Sequence, residues 1–120
     1  MNELKKRIKS FTYAIKGIGS FLRKEHNAWI HCTAILVVTT AGFLLGITRT
    51  EWLIVILCFA LVLAAEAFNT AIERLVDLVS PGFHPIAGDV KDVAAGAVLI
   101  CAIAAAIVGL IIFLPYFIRC

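Results

Sequence analysis

The sequence predicts an all-α membrane protein: an N-terminal amphipathic surface helix followed by three transmembrane helices. Three observations predict it. Hydrophobic residues make up 62% of the 120 and charged residues 16%, where a soluble domain has nearer half and a quarter. The apolar residues fall into three long runs, each long enough to cross a hydrocarbon core of about 30 Å. Seven of the eleven basic residues (Lys5, Lys6, Arg7, Lys9, Lys16, Arg23 and Lys24) lie within the first 24 positions. That cluster predicts a cytoplasmic N-terminus. It is not read as a signal peptide, because no short apolar region with a small-residue cleavage site follows it. The whole of 1–120 reads as one domain, and a chain with so little polar surface is expected to oligomerise.

The surface helix is expected over about 3–23. Leu4, Ile8, Phe11, Ile15, Ile18 and Leu22 recur at intervals of three and four, which makes one apolar stripe. Lys5, Lys9 and Lys16 lie off the stripe, so the helix should rest in the membrane interface with its apolar side down. Gly17 and Gly19 are expected to loosen or kink it. The first span is placed at about 28–47, with Gly42 and Gly46 as a small-residue pair suited to helix packing.

The second span is placed at about 52–79. Thr50 is expected to cap it, and Glu51 suits the positive end of its dipole. Its apolar part ends near Phe68, but nothing breaks the helix before Ser80-Pro81-Gly82, so it should continue beyond the membrane surface. Ser80 to Gly88 reads as a loop. Asp89 is expected to cap the third span, placed at about 92–114, where Ala94-Ala95-Gly96-Ala97 is small enough for close helix contact. Three spans and an inner N-terminus leave the 80s loop inside and the C-terminus outside. Of the cysteines, Cys32, Cys58 and Cys101 lie in apolar runs and Cys120 ends the chain, with none at a metal-ligand spacing. They read as polarizable apolar filler, without a disulfide framework or zinc site.

The candidate chemistry sits on the second helix. Glu66, Asn69, Glu73 and Asp77 are spaced by three, four and four, which puts them on one face. No charge lies between Trp52 and Ala65, so Glu66 falls at or inside the inner membrane boundary. A charge at the centre of a span costs about 3 kcal/mol on insertion scales, and less near the edge. Asn69 and Thr70 alone would read as hydrogen-bonding glue between helices. Two carboxylates on the same stripe shift the balance, because glue needs no like charges. Carboxylates at this edge suit Mg²⁺, a hard cation held by one or two carboxylates and substrate phosphates.

Glu25 precedes the first span and Lys91-Asp92 opens the third on the same side. All three spans thus bring ionisable groups to one rim, with the pieces of phosphoryl transfer: metal ligands, a cation for phosphate and a candidate base. There is no Gly-rich phosphate loop of the Walker type. Two other classes share these residues. A proton-coupled transporter could use Glu66 as a proton carrier, although it would call for an isolated acid near mid-membrane. A structural subunit could use the polar face for assembly.

The stretch Glu66-Ala-Phe-Asn-Thr-Ala-Ile-Glu73-Arg-Leu-Val-Asp77 resembles the signature of the prokaryotic diacylglycerol kinase family, which includes the undecaprenol kinases. The likeness extends through His84-Pro85-Ile86-Ala87-Gly88 and Lys91-Asp92-Val-Ala-Ala-Gly-Ala-Val, and takes in Lys16-Gly17 and Glu25. It covers essentially the whole chain. The resemblance implies a homotrimer in the bacterial inner membrane that transfers the γ-phosphate of ATP to a lipid hydroxyl at the cytoplasmic interface, with Mg²⁺ as cofactor. It implies Glu66 as general base, and Glu25 and Glu73 as ligands of the metal that carries the ATP phosphates, with Asn69 nearby. It further implies nucleotide contacts from Lys91, Asp92, His84, Lys9 and Tyr13. Gly82 stands where some members have an acidic residue, and Lys6 where an Arg is known. No nucleic-acid partner is expected. The acceptor is undecaprenol or diacylglycerol, and the loop from Ser80 to Pro85 looks more like the undecaprenol kinase branch.

Overall fold

The computed structural model describes residues 2–25 and 27–119; Met1, His26 and Cys120 lie outside that description. Its elements are α1 (Asn2–Lys24), α2 (Ala28–Leu45), α3 (Arg49–Val79) and α4 (Pro85–Ile118). The described residues contain no strand. Three of the helices, α2, α3 and α4, are long and apolar enough to cross a membrane. The longest, α4, has 34 residues and so runs for about 51 Å, close to the longest extent of the molecule, 54 Å.

Helix α1 runs without a break through Gly17 and Gly19. Helix α2 stops at Gly46, which adopts the left-handed conformation (φ 66°, ψ 48°) and sends its backbone N–H to the carbonyl of Gly42. Glycine enters that region without a Cβ clash, which makes it the usual residue after a helix end. The two small residues therefore have separate roles. Gly46 terminates the helix, while Gly42 admits Trp52: a Cβ at Gly42 would stand 2.7 Å from Trp52 Cη2.

The cap of α3 is Thr48 rather than Thr50. Thr48 Oγ1 accepts from the N–H of Glu51 at 3.2 Å, and Glu51 Oε1 accepts from the N–H of Thr48 at 2.9 Å. This reciprocal pair requires the carboxylate three residues after the cap, a spacing that Thr48 meets and Thr50 does not. Glu51 Oε1 also accepts the Tyr116 hydroxyl at 2.5 Å, which ties the start of α3 to the end of α4.

Helix α4 begins earlier than the sequence reading placed it. Its cap is His84, whose Nδ1 accepts from the N–H of Ile86 at 3.1 Å. Pro85 occupies the first turn, where its missing N–H is not needed. Asp89, expected as the cap, instead lies inside the helix, which passes Pro115 and ends at Ile118.

Contacts at both ends of the bundle fix its topology. Glu51 meets Tyr116 at one end, and Asp77 meets Lys91 at the other, so α3 and α4 are antiparallel. His31 meets Glu66 and Gly42 lies against Trp52, so α2 is antiparallel to α3. Ile47, Val55 and Ile112 form a small buried core near the Glu51 end, with Val38, Trp52 and Val108 packed against it. Elsewhere large apolar residues such as Leu36, Phe43, Leu44, Ile100 and Ile111 are exposed. Exposed apolar surface on this scale fits a lipid environment, where it carries no hydration cost.

Candidate active site at the polar end of the bundle

The start of α2, the end of α3 and the start of α4 share one end of the bundle. Three helical turns of α3 grade its polar residues from buried to exposed. Glu66 and Thr70 face inward at 8% and 4% exposure, whereas Glu73 and Asp77 are exposed.

Glu66 meets a partner that the sequence reading missed. Its Oε1 lies 3.0 Å from His31 Nε2, and the two side chains are only 10% and 19% exposed. A carboxylate accepts, so the contact is attractive when the imidazole carries its proton on Nε2. An ionisable side chain within a span is in itself a functional signal. His31, alone among acidic and basic residues in α2, offered that signal in sequence. Its pairing with Glu66 depends on how two helices are rotated against each other, which periodicity alone does not give.

One turn beyond Glu66, Asn69 Nδ2 donates to Glu73 Oε1 at 2.6 Å. Its other amide atom, Oδ1, is buried without a hydrogen-bond partner among the described residues. Buried carbonyl oxygens are seldom left unpaired. A further turn along, Lys91 Nζ donates to Asp77 Oδ1 at 2.6 Å, so the lysine of α4 is drawn onto the polar face of α3. Arg74 Nη1 donates to Ser20 Oγ at 3.4 Å and links this end to α1.

The remaining candidates are placed less closely. Glu25 is partly buried at the junction of α1 and α2, where its carbonyl accepts from the N–H of Ala28 at 3.2 Å. His84 uses Nδ1 to cap α4. Lys9, Tyr13 and Asp92 are exposed. Among the described residues no side-chain hydrogen bond or ion pair joins Lys9, Tyr13, Glu25 or Asp92 to the α3 face. The structure therefore brings together Glu66 with His31, Asn69 with Glu73, and Asp77 with Lys91.

Among the described residues no group of three or more His, Cys, Asp or Glu side chains gathers to hold a metal, so the chain alone offers no closed cage. An exposed carboxylate at Glu73 beside the unpaired Asn69 Oδ1 offers oxygen donors only. That set fits Mg²⁺, which takes one or two protein oxygens and completes its octahedron with substrate phosphates and water.

An apolar cavity of about 280 Å³ leads away from this site along the bundle, lined by His31, Ala34, Cys58, Leu63, Ala105 and Phe113 among others.

Fold and site together define a class: a small helical membrane protein whose spans carry a shielded acid and a polar face at one end. Residues 12–113 match the model of the family described as prokaryotic diacylglycerol kinase. The undecaprenol kinase of Bacillus subtilis (strain 168) is 43% identical over 114 residues, spanning 95% of this chain and 93% of that protein. A diacylglycerol kinase of Synechocystis sp. is 41% identical over 107 residues, spanning 88% of this chain and 61% of that protein. A diacylglycerol kinase of Escherichia coli (strain K12) is 30% identical over 114 residues, spanning 89% and 93%. The chain belongs to the prokaryotic diacylglycerol kinase family and is a membrane lipid kinase.

Proposed function

We propose that residues 1–120 form a single catalytic domain that transfers the γ-phosphate of ATP to the hydroxyl of a membrane lipid, undecaprenol or diacylglycerol, in an Mg²⁺-dependent reaction at the cytoplasmic face of the bacterial inner membrane. The N-terminus lies inside and the C-terminus outside, by the charge cluster of α1. Helix α1 lies on the membrane surface with Leu4, Ile8, Phe11, Ile15 and Ile18, all exposed, turned to the lipid. The working unit is a homotrimer; the outward apolar faces of α2–α4 suit contact with lipid and with other copies alike.

The observation that carries the reading is Glu66, a carboxylate shielded inside an apolar helix and held by His31 at 3.0 Å. Glu66 is the general base, taking the proton from the lipid hydroxyl. Glu25 and Glu73, with Asn69 beside Glu73, hold the metal and through it the ATP phosphates. When bound, Mg²⁺ neutralises charge on the β- and γ-phosphate oxygens. Lys91 adds a cation for phosphate, and Asp92, His84, Lys9 and Tyr13 contact the nucleotide. The lipid chain occupies the apolar cavity that begins at His31, so that its hydroxyl reaches Glu66 from the membrane side. Undecaprenol is favoured as acceptor by the likeness to the Bacillus subtilis protein.

The test is phosphorylation of each lipid by the purified full-length protein with Mg·ATP, alongside Glu66→Gln. The variant should keep its oligomeric state and lose about 10²- to 10⁴-fold in kcat, the range for removal of a general base. Activity above a tenth of wild type would remove Glu66 from that role, and loss of the oligomer would make it an assembly residue.

A further inference from the structure

His31 has no part in the chemistry assigned above, yet among the described residues it makes the only side-chain hydrogen bond to the proposed base. Its ring is carried by α2 and its partner by α3, so the contact bridges two spans. Both groups are largely shielded, at 19% and 10% side-chain exposure. The surroundings on the cavity side are Ala34, Ile35, Cys58, Val62 and Leu63, none of which offers Glu66 a comparable hydrogen bond.

A glutamate has three side-chain torsions, and a carboxylate one turn inside an apolar helix gains nothing from neighbouring side chains that cannot hydrogen-bond. Without a fixed donor it would sample several rotamers, and few would meet a lipid hydroxyl. The described contact engages Oε1 alone. The second oxygen, Oε2, is the one left to meet substrate.

We propose that His31 is a positioning residue for phosphoryl transfer: its imidazole donates Nε2–H to Glu66 Oε1, fixes the carboxylate's rotamer, and aims Oε2 at the lipid hydroxyl. In the step it serves, the lipid oxygen forms a bond to Pγ as its proton passes to Glu66 Oε2. The bond from Pγ to the bridging oxygen breaks, and ADP leaves with that electron pair. Water afterwards removes the proton from Glu66. His31 keeps its own proton throughout.

This inference rests on Glu66 being the base, and the test separates the two. Full-length His31→Leu and His31→Gln are assayed with undecaprenol and Mg·ATP, measuring kcat, both KM values and unfolding. Glutamine places an amide N–H near the position of the imidazole Nε2 but cannot titrate. Leucine should lower kcat by about 10- to 100-fold with both KM values nearly unchanged, the range for misplacing a catalytic group, and glutamine should recover most of that loss. If the leucine variant unfolds, His31→Met supplies the arm without a donor. Full activity without a donor at position 31 would overturn the proposal. So would a glutamine variant as impaired as leucine, which would mean that His31 must exchange protons. Unimpaired Glu66→Gln would instead remove the base itself, whatever the His31 variants do.

Discussion

Asn69→Leu separates a functional amide from an assembly contact, because the structure gives the two roles opposite signs. Leucine has the branched outline and the heavy-atom count of asparagine but neither donor nor acceptor. In the wild-type fold Asn69 Oδ1 is buried without a partner among the described residues. Such a group costs about 1–3 kcal/mol, and an apolar replacement recovers that amount. Against it stands the hydrogen bond from Nδ2 to Glu73 Oε1. Glu73 is exposed, so this bond belongs at the low end of the range, about 0.5–1.5 kcal/mol. The balance runs from a loss of about 0.5 to a gain of about 2.5 kcal/mol. Stability should therefore hold or rise, while kcat/KM for ATP falls by about 10- to 100-fold, as when a group supporting a metal site is lost. Denaturant unfolding in detergent micelles, read beside ATP kinetics on the same preparation, checks both halves. A destabilisation above about 1 kcal/mol with kinetics intact would refute the reasoning. It would mean that Oδ1 is bonded across a helix interface in the assembled protein and that Asn69 is glue.

Two further outcomes follow, one from the packing and one from the proposed metal site. Gly42→Ala would set a Cβ 2.7 Å and 2.9 Å from the Trp52 ring, well inside the usual carbon contact of about 3.5–4.0 Å. That ring is already tilted against Phe43 at 4.9 Å, so thermal unfolding should show a loss of about 1–3 kcal/mol with specific activity of the folded fraction unchanged. Glu73→Gln should weaken Mg·ATP use far more than lipid binding. Adding Glu25→Gln should cost much less than the sum of the single effects, because residues serving one function are not additive; additive losses in steady-state kinetics would give the two carboxylates separate roles.

Much of this architecture is legible in the sequence because the bilayer leaves so few options. Long apolar runs must be helices, and a carboxylate in one of them must be near an edge or have a partner. The periodicity of Glu66, Asn69, Glu73 and Asp77 placed them on one face, and Asn69 does reach Glu73. Local rules failed where two signals competed. Thr48 and Thr50 both precede Glu51, and only the three-residue spacing of the capping box separates them. Ser80-Pro81-Gly82 reads so strongly as a turn that it masks Pro85, a good first-turn residue, and the acidic side chain of Asp89 outweighs His84, the actual cap. The pairings of His31 with Glu66 and of Lys91 with Asp77 were not legible at all. Each depends on the relative rotation and depth of two helices, which neither sequence contains by itself.

Under the proposed function, the unbroken course of α3 is what lets one helix serve both an oily and an aqueous substrate. Glu66 and Asp77 are eleven residues apart on one helix, which is about 16 Å along the axis. Over that length the side chains pass from shielded, at Glu66, to exposed, at Glu73 and Asp77. A lipid hydroxyl can approach the first of these from the apolar side, where water does not compete for the proposed base. A nucleotide cannot enter that region, because its phosphates would lose their hydration, but it can reach Glu73 and Lys91. A break in the helix at the membrane surface would let the two halves of the site move independently. A continuous helix with no proline or glycine between Arg49 and Val79 holds them in fixed register instead. The cost of carrying Glu66 into the span is offset by His31, and the depth so gained lets one helix address both phases at once.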